Sequence, residues 1–335
     1  MEYKFSANLR KSGKDFQKTI EQPVKRAERP RELEYRDSSD HAESMPRSKE
    51  YQHWKSRAEQ EDNRNKVRDY DYKKCSVDQA SVATQRSVLT KYCAYFDSEN
   101  IARLKSEIGS NKLEIYNEPY FATEMACDQW PMVTRGMRNM ADGRICIRDS
   151  DNIPRLVHTA THETMHDLSY QHKDHSTQTV WETGEGLRTS SETELRSGIH
   201  KVSRQEIITN GKAIDLKVEH SNQYLNEGLT ELYTIEEMQE RGENPDFDSY
   251  SQEVGWALLL KEKLGDDVVA AAYFGGDVGS LQEKFNGMSA VPDAWSEFNR
   301  NIDMYGTTGE LRYKNIADSI IDGLESGSTL ARRRF

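Results

Sequence analysis

The chain of 335 residues is long enough to bury a sizeable core, although only 35% of its residues are hydrophobic and 31% are charged. Charge is divided unevenly: residues 1–74 hold 19 Lys and Arg against 15 Asp and Glu, whereas residues 75–335 hold 27 against 42. The second part is therefore strongly acidic and repels phosphate groups, which argues against nucleic acid as its partner.

The sequence offers no segment for crossing a membrane. Its longest apolar run, VVAAAYF at residues 268–274, is far too short to span a bilayer. The first residues, MEYKFSANLRKSGKDF, lack the apolar stretch of an ordinary signal peptide, and the four cysteines form no CxxC pair. We expect no membrane span, reduced thiols, and a protein that is cytoplasmic or exported without an ordinary signal peptide.

Residues 1–75 are dense in charged and small polar residues, and they show almost no apolar periodicity. This composition predicts a charged N-terminal arm that is disordered or loosely helical. A packed domain is predicted for residues 76–335, because the apolar spacing of amphipathic helices begins there, first at residues 81–96 and then at 99–109.

Three short segments are predicted strands, at residues 112–117, 131–137 and 143–150. In the third, Ile145 and Ile147 alternate with more polar residues, as in a strand with one buried face. The sequence Ala-Asp-Gly between the second and third segments predicts a tight turn, so we expect these two strands to form a hairpin.

The next segment predicts a helix that carries the most informative motif. Residues that suit a helix start precede it, at Asp151, Asn152 and Pro154. His162-Glu163-Thr164-Met165-His166 is an HExxH sequence, so both imidazoles share a helix face and can reach one zinc ion while Glu163 activates a water. His158 lies on the same face but too far from His166 to share that ion, so we expect a packing or ligand-supporting role.

Beyond the motif, residues 173–194 are polar and predict a loop, and the Asn210-Gly211 pair predicts the turn of a hairpin. A second helix is predicted to begin near Asn222. The remaining residues have the spacing of several short helices and predict a helical C-terminal lobe.

Two candidates for a third metal ligand follow the motif. His172 stands where metzincins, with the pattern HExxHxxGxxH, have their third histidine, but Ser169 replaces the glycine of that pattern. The competing segment is LNEGLTELY, in which Glu227 and Glu231 are four residues apart on one helix face. We favour Glu227 as the ligand, with Glu231 accepting a hydrogen bond from a metal-bound imidazole, and keep His172 as the alternative.

HETMH followed at a distance by NEGLTE resembles the pattern of gluzincins, the thermolysin-like zinc metallopeptidases. The resemblance implies an α+β, zincin-like catalytic domain, in which residues 76–172 form a small mixed sheet and the motif helix, and residues 173–335 form the second ligand helix and the helical lobe. It also implies one zinc ion per chain, held by His162, His166 and Glu227. Glu163 is then the general base and Glu231 the supporting carboxylate.

The expected function is a zinc-dependent endopeptidase that acts on a protein or peptide substrate. We expect the strand at 143–150 to be an edge strand that pairs with extended substrate, with side chains that contact it at Arg144, Cys146 and Arg148. Candidate oxyanion donors by residue type are Tyr224, Tyr233, His200, His220 and Tyr305.

Two alternatives stay open at this point: a metzincin-like peptidase that uses His172, and a zincin-like effector or binding protein without catalysis. Glu163 argues against the second alternative, because a pure binding site needs no general base beside its metal. The oligomeric state does not follow from the sequence.

Overall fold

The structure, a computed structural model, describes residues 63–109, 113–117, 135–138, 144–182, 186–209, 212–246 and 250–324. Within these ranges the protein has nine helices and two separate β-sheets, which confirms the predicted α+β class. The chain divides into two units between Lys73 and Lys74. No described helix is both long enough and apolar enough to cross a membrane.

Helices lie at both ends of the described chain and between its sheets. In chain order they are α1 Asn63–Tyr92, α2 Ser98–Glu107, α3 Ile153–Leu168, α4 Gln223–Glu240, α5 Ser251–Leu264, α6 Asp266–Gly275, α7 Val278–Gly287, α8 Ala294–Thr308 and α9 Leu311–Asp322. Both helices predicted after residue 75 are present, although the first begins well before the predicted start. The predicted helical C-terminal lobe is confirmed as α5 to α9.

The first sheet is small and mixed. Its strands are β1 Leu113–Tyr116, β2 Gly136–Arg138 and β3 Ile145–Arg148, and β3 lies between the parallel β1 and the antiparallel β2. The predicted pairing of the last two strands is thus confirmed, while the turn between them lies outside the described residues. The expectation that residues 143–150 form an edge strand is wrong, because β3 is paired on both sides.

One face of this sheet packs on α3. Leu113, Ile115, Ile145 and Ile147 form a buried cluster with residues that include Leu156 on the helix. Ile145 and Ile147 of β3 belong to this cluster, and Cys146 between them is buried as well, so the alternation in the sequence does not mark an exposed face. The sheet therefore fixes the helix that carries the HExxH motif.

Helix α3 begins as its sequence predicts. The Asn152 side chain caps it by accepting the N–H of Arg155 at 3.1 Å, and Pro154 occupies the first turn. Ser169 ends the helix in an extended conformation, and its N–H still bonds to the carbonyl of Met165.

The second sheet is a four-stranded antiparallel meander between α3 and α4. Its strands are β4 Gln171–Glu182, β5 Gly186–Ser197, β6 His200–Thr209 and β7 Lys212–Ser221. The prediction of a loop at residues 173–194 is therefore wrong. Residues 172–179 of β4 are exposed, so this part of the strand has no buried face and lacks the hydrophobic alternation that identifies one. The predicted hairpin at Asn210-Gly211 is confirmed by the pairing of β6 with β7, and the turn itself lies outside the described residues.

The base of this sheet is fixed to the body of the protein by side-chain amides of α4 and its cap. The Asn226 side chain, which is 1% exposed, accepts the N–H of Ile199 at 3.0 Å. The Asn222 amide donates to the Ile199 carbonyl at 3.0 Å. The long insertion between the two motif helices therefore leaves the start of α4 anchored.

Helix α4 packs closely on α5 at Gly228. A Cβ atom at this position would lie 2.4 Å from the backbone carbonyl oxygen of Glu253, which is too close for any side chain. Leu225, Leu229 and Leu232 of α4 are buried in the core. The absence of a side chain at Gly228 thus sets the separation of the two helices.

We expect Gly228→Ala to destabilise the protein by about 1–3 kcal/mol, because the added methyl group meets rigid backbone. The matched control is Gly255→Ala on α5, where a Cβ would meet nothing closer than 4.0 Å. This control should be neutral or stabilising by up to about 1 kcal/mol, since alanine favours helix more than glycine does. Urea denaturation of both variants measures the difference, and equal stabilities would contradict the tight contact.

Candidate functional site

The structure brings together the two motif histidines and the first glutamate of NEGLTE. The Oε2 atom of Glu227 lies 3.4 Å from Nε2 of His162 and 3.2 Å from Nε2 of His166. One ligand atom from each of the three residues lies within 4.8 Å of the other two, and among the described residues this is the group that could hold a metal ion. The two helices that carry them, α3 and α4, pack side by side in the core.

The two separations between the Glu227 carboxylate and the histidine nitrogens suit zinc. In a tetrahedral zinc site with bonds of about 2.0–2.1 Å, any two ligand atoms are about 3.3 Å apart. The observed 3.2 and 3.4 Å separations match that value. Two imidazoles and one carboxylate are also the donor set of a catalytic zinc site, which leaves a position for water. The donor set therefore fits the expected metal.

Glu231 lies one turn after Glu227 and contacts His162 on the ring nitrogen that faces away from Glu227. Its Oε2 atom is 2.8 Å from Nδ1 of His162, and its side chain is 1% exposed. Burial would raise the pKa of Glu231, but hydrogen bonds with His158 and His162 lower it to about 2, so it is a carboxylate. His162 must donate its Nδ1 proton to this carboxylate, which leaves Nε2 to face Glu227 and a metal.

His166 has a hydroxyl partner. Its Nδ1 atom lies 3.3 Å from Oγ1 of Thr230, which also lies 2.7 Å from the Tyr273 hydroxyl and donates to the Asn226 carbonyl. Nδ1 of His166 can therefore donate to Thr230 and present Nε2 to the same point as His162 does. The spacing of Glu227, Thr230 and Glu231 on α4 places all three on one helix face, where each contacts a motif histidine.

Glu163 is buried beside the two histidines and lies against strand β2. A Cβ atom at Gly136 would lie 2.9 Å from Oε1 of Glu163, so only glycine leaves room for this carboxylate. The backbone N–H of Arg138 donates to it. Burial is the largest effect on Glu163 and raises its pKa, which moves the carboxylate toward the basicity that a general base requires.

Tyr250 completes the site from the start of α5. Its ring stacks on His162 with centroids 5.6 Å apart and planes 8° from parallel, and its hydroxyl bonds to Glu227. Tyr250 has a positive φ of 54°, which is costly for a residue with a Cβ. Such strained backbone conformations cluster at active sites and ligand-binding sites. Tyr250 is 38% exposed, and the negative charge of Glu227 is the largest cause that raises the pKa of its hydroxyl well above 10, so it keeps its proton as a donor must.

Charged contacts tie strand β2 to α3 on both sides of the site. Arg138 donates from Nε to Asp167 at 2.7 Å, beside His166 at the end of α3. At the other end, the Asp246 carboxylate lies 3.0 Å from Arg135 and 2.9 Å from Arg155. The two carboxylates of these three ion pairs are 11% and 18% exposed, so the pairs help to fix β2 relative to the motif helix.

The other predicted site residues lie elsewhere. His172 is exposed on β4 and stacks on Tyr170, and it does not join the metal-ligand group. Tyr233 and Tyr305 are buried among other aromatic side chains, and Tyr224 packs against Gly306.

The two histidines among the predicted oxyanion donors form a pair at the base of the second sheet. Nε2 of His200 lies 3.2 Å from Nδ1 of His220. Burial, together with the neighbouring His220, lowers the pKa of His200 to about 4, and its charge also interacts with Glu227 and His166. His200 is therefore a neutral imidazole near the site rather than part of the ligand group.

On the predicted substrate strand, Cys146 is buried with Tyr116 and Met137 packed against it. Arg148 belongs to β3, and Arg144 immediately precedes that strand. No observation tests whether these three residues contact substrate, so that role stays a prediction.

Several residues of the site carry no signal that sequence reasoning could have used. Gly136 and Tyr250 reach the site only through tertiary packing, and neither belongs to a recognisable motif. Thr230 could have been found, because it lies within NEGLTE on the face of Glu227. His158 was expected to pack or to support a ligand, and its bond to Glu231 agrees with the second of these roles.

Comparisons of the chain with protein-family models, with curated proteins and with solved structures found no match. Two imidazoles, three carboxylates and a tyrosine hydroxyl converge between two packed helices. Such a set can hold one divalent cation and move protons beside it.

We expect the apparent zinc affinity of the protein to keep rising with pH above 6.5. Burial lowers the pKa of His162, but hydrogen bonds with Glu227 and Glu231 outweigh it and hold the pKa well above 6.5. A metal binds only the deprotonated ring, so protons compete with zinc for His162 at every pH below this raised pKa. In that range the apparent zinc affinity should rise by at most about tenfold per pH unit.

Competition with a chelator between pH 6 and 9 measures this dependence. Glu231→Gln is the matched variant, because loss of that charge should lower the pKa of His162 and end the rise at a lower pH. An affinity that is already independent of pH at 7 in the wild type would contradict the prediction.

Proposed function

We propose that the protein is a zinc-dependent endopeptidase of gluzincin type. The observation that carries the proposal is the convergence of His162, His166 and Glu227 with the buried Glu163 beside them. A site that only binds metal has no need of a buried carboxylate beside the ligands, and among the described residues Glu163 forms no ion pair with Lys or Arg that would give it a structural role. The small mixed sheet, the motif helix and the helix that follows the insertion are consistent with a zincin-like catalytic domain.

His162, His166 and Glu227 would hold the metal, and the mixed nitrogen and oxygen donors suit zinc best. Bound zinc supplies a Lewis acid that polarises a carbonyl and lowers the pKa of water toward about 7. Because burial raises its pKa, the Glu163 carboxylate can take a proton from the attacking water at neutral pH. Glu163 then passes this proton to the leaving amine.

Tyr250 is the best-supported donor for the oxyanion that develops on the substrate carbonyl. Its ring packs on a metal ligand, and its hydroxyl reaches Glu227. Because the nearby carboxylates keep the hydroxyl protonated, Tyr250 can donate a hydrogen bond throughout the neutral pH range. None of the five donors proposed from sequence has a comparable contact with the ligand group.

Strand β2 is the better candidate for pairing with an extended substrate. Arg148 donates its N–H to the Arg135 carbonyl, so Gly136 and its partner Ile147 form a pair whose backbone groups point away from each other. The N–H and carbonyl of Gly136 thus face the side of β2 on which Glu163 lies. A peptide that pairs there would be held by its backbone beside the general base.

We expect Glu163→Gln to lower proteolysis of an unfolded protein such as reduced casein by about 10²–10⁴-fold, because the amide cannot take a proton from water. Zinc content should stay at the wild-type level, since Glu163 is not a ligand. Glu192→Gln, which removes an exposed carboxylate on β5, is the matched control and should cleave like the wild type. Undiminished cleavage by the Glu163 variant would contradict the role of Glu163 as general base.

Tyr250→Phe keeps the ring that stacks on His162 and removes only the hydroxyl. If the hydroxyl donates to the developing oxyanion, kcat should fall by about 10²–10³-fold with little change in KM. A fall in substrate affinity with unchanged kcat would assign Tyr250 to binding instead.

A further inference from the structure

We infer that His158 is a positioning residue of the metal centre, which holds the Glu231 carboxylate in the orientation that fixes the tautomer of His162. The inference rests on the proposed function, because it assumes that Nε2 of His162 binds the metal. It goes further in assigning a role to a histidine that lies outside the HExxH motif and cannot itself be a ligand. His158 would act through Glu231 alone.

The contacts of His158 determine which of its nitrogens carries the proton. Its side chain is 5% exposed, and its Nδ1 atom accepts the backbone N–H of Asp246 at 3.0 Å. A nitrogen that accepts a hydrogen bond has no proton of its own, so the proton must be on Nε2. Nε2 lies 3.1 Å from Oε2 and 3.0 Å from Oε1 of Glu231, and His158 therefore donates to this carboxylate.

Glu231 thus receives two imidazole donors one helical turn apart. His162 Nδ1 lies 2.8 Å from the same Oε2 atom that His158 approaches. The last torsion of a glutamate side chain is broad, so a single hydrogen bond does not define the plane of the carboxylate. The second donor defines it, because His158 and His162 project from fixed positions of α3.

The backbone that sets the tautomer of His158 is itself held in place. The Asp246 carboxylate accepts from Nε of Arg155 at 2.9 Å and from Arg135 at 3.0 Å. Arg155 is part of α3, and Arg135 immediately precedes strand β2. The same residue therefore ties together the substrate-facing strand, the motif helix and the imidazole that supports Glu231.

Two substitutions separate the two hydrogen bonds of His158, and a third serves as their control. His158→Gln keeps a donor near the position of Nε2, toward Glu231, and loses the acceptor for Asp246. His158→Asn keeps an acceptor near the position of Nδ1 and loses the donor. His175→Asn removes an exposed histidine on β4 and is the matched control. A merely structural histidine would make the Gln and Asn variants equally unstable and leave metal affinity unchanged.

Zinc affinity of the metal-free proteins, measured against a chelator, is the main readout. Since supporting groups of metal ligands contribute about 10–100-fold to affinity, we expect His158→Asn to bind zinc about tenfold more weakly and His158→Gln within about threefold of the wild type. The His175 variant should match the wild type. Circular dichroism confirms that each protein is folded at the temperature of the titration.

The second readout does not depend on metal. In the metal-free wild type, ¹⁵N spectra of the histidine rings should show His158 protonated on Nε2 only. A proton on Nδ1, or equal zinc affinities of the folded Gln, Asn and wild-type proteins, would overturn the role of His158 and leave the proposed function intact. A wild-type protein that binds no zinc would overturn both.

Discussion

The rest of the structure depends on one constraint. The buried imidazoles and carboxylates between α3 and α4 must satisfy one another's charges and hydrogen bonds. Ionised groups taken out of water are costly unless each finds a partner of opposite charge or a hydrogen-bond donor. Glu231 meets this demand with His158 and His162, and Glu227 meets it with His162 and His166. The two helices can lie against each other only in the register that makes these pairs.

The surrounding fold holds α3 and α4 in this register. The small sheet covers α3 on one side, α5 approaches α4 closely at Gly228, and Asn226 anchors the base of the second sheet. The four-stranded insertion between the two helices can therefore be long without disturbing the site, because its attachment points are fixed. Most of β4 is solvent-exposed, so its sequence is constrained less by packing than that of β3.

The sequence predicts the site better than it predicts the surrounding sheets. Helical spacing places His162, Glu163 and His166 on one face, and the same rule pairs Glu227 with Glu231, so local geometry is enough for these residues. The central place of β3 depends on its parallel pairing with a distant strand, which no local pattern reveals. Strands β4 and β5 escape notice because their sequences show no sustained alternation of apolar and polar residues. Tyr250 joins the site only when α5 packs on α4.

We propose that Glu227, and not His172, completes the metal site. Zinc per chain, measured by elemental analysis of the wild type, Glu227→Gln and His172→Ala after circular dichroism has confirmed folding, tests it most directly. We expect about one zinc ion per chain in the wild type and in His172→Ala, and a large loss of zinc in Glu227→Gln. Loss of zinc in His172→Ala with full retention in Glu227→Gln would contradict it.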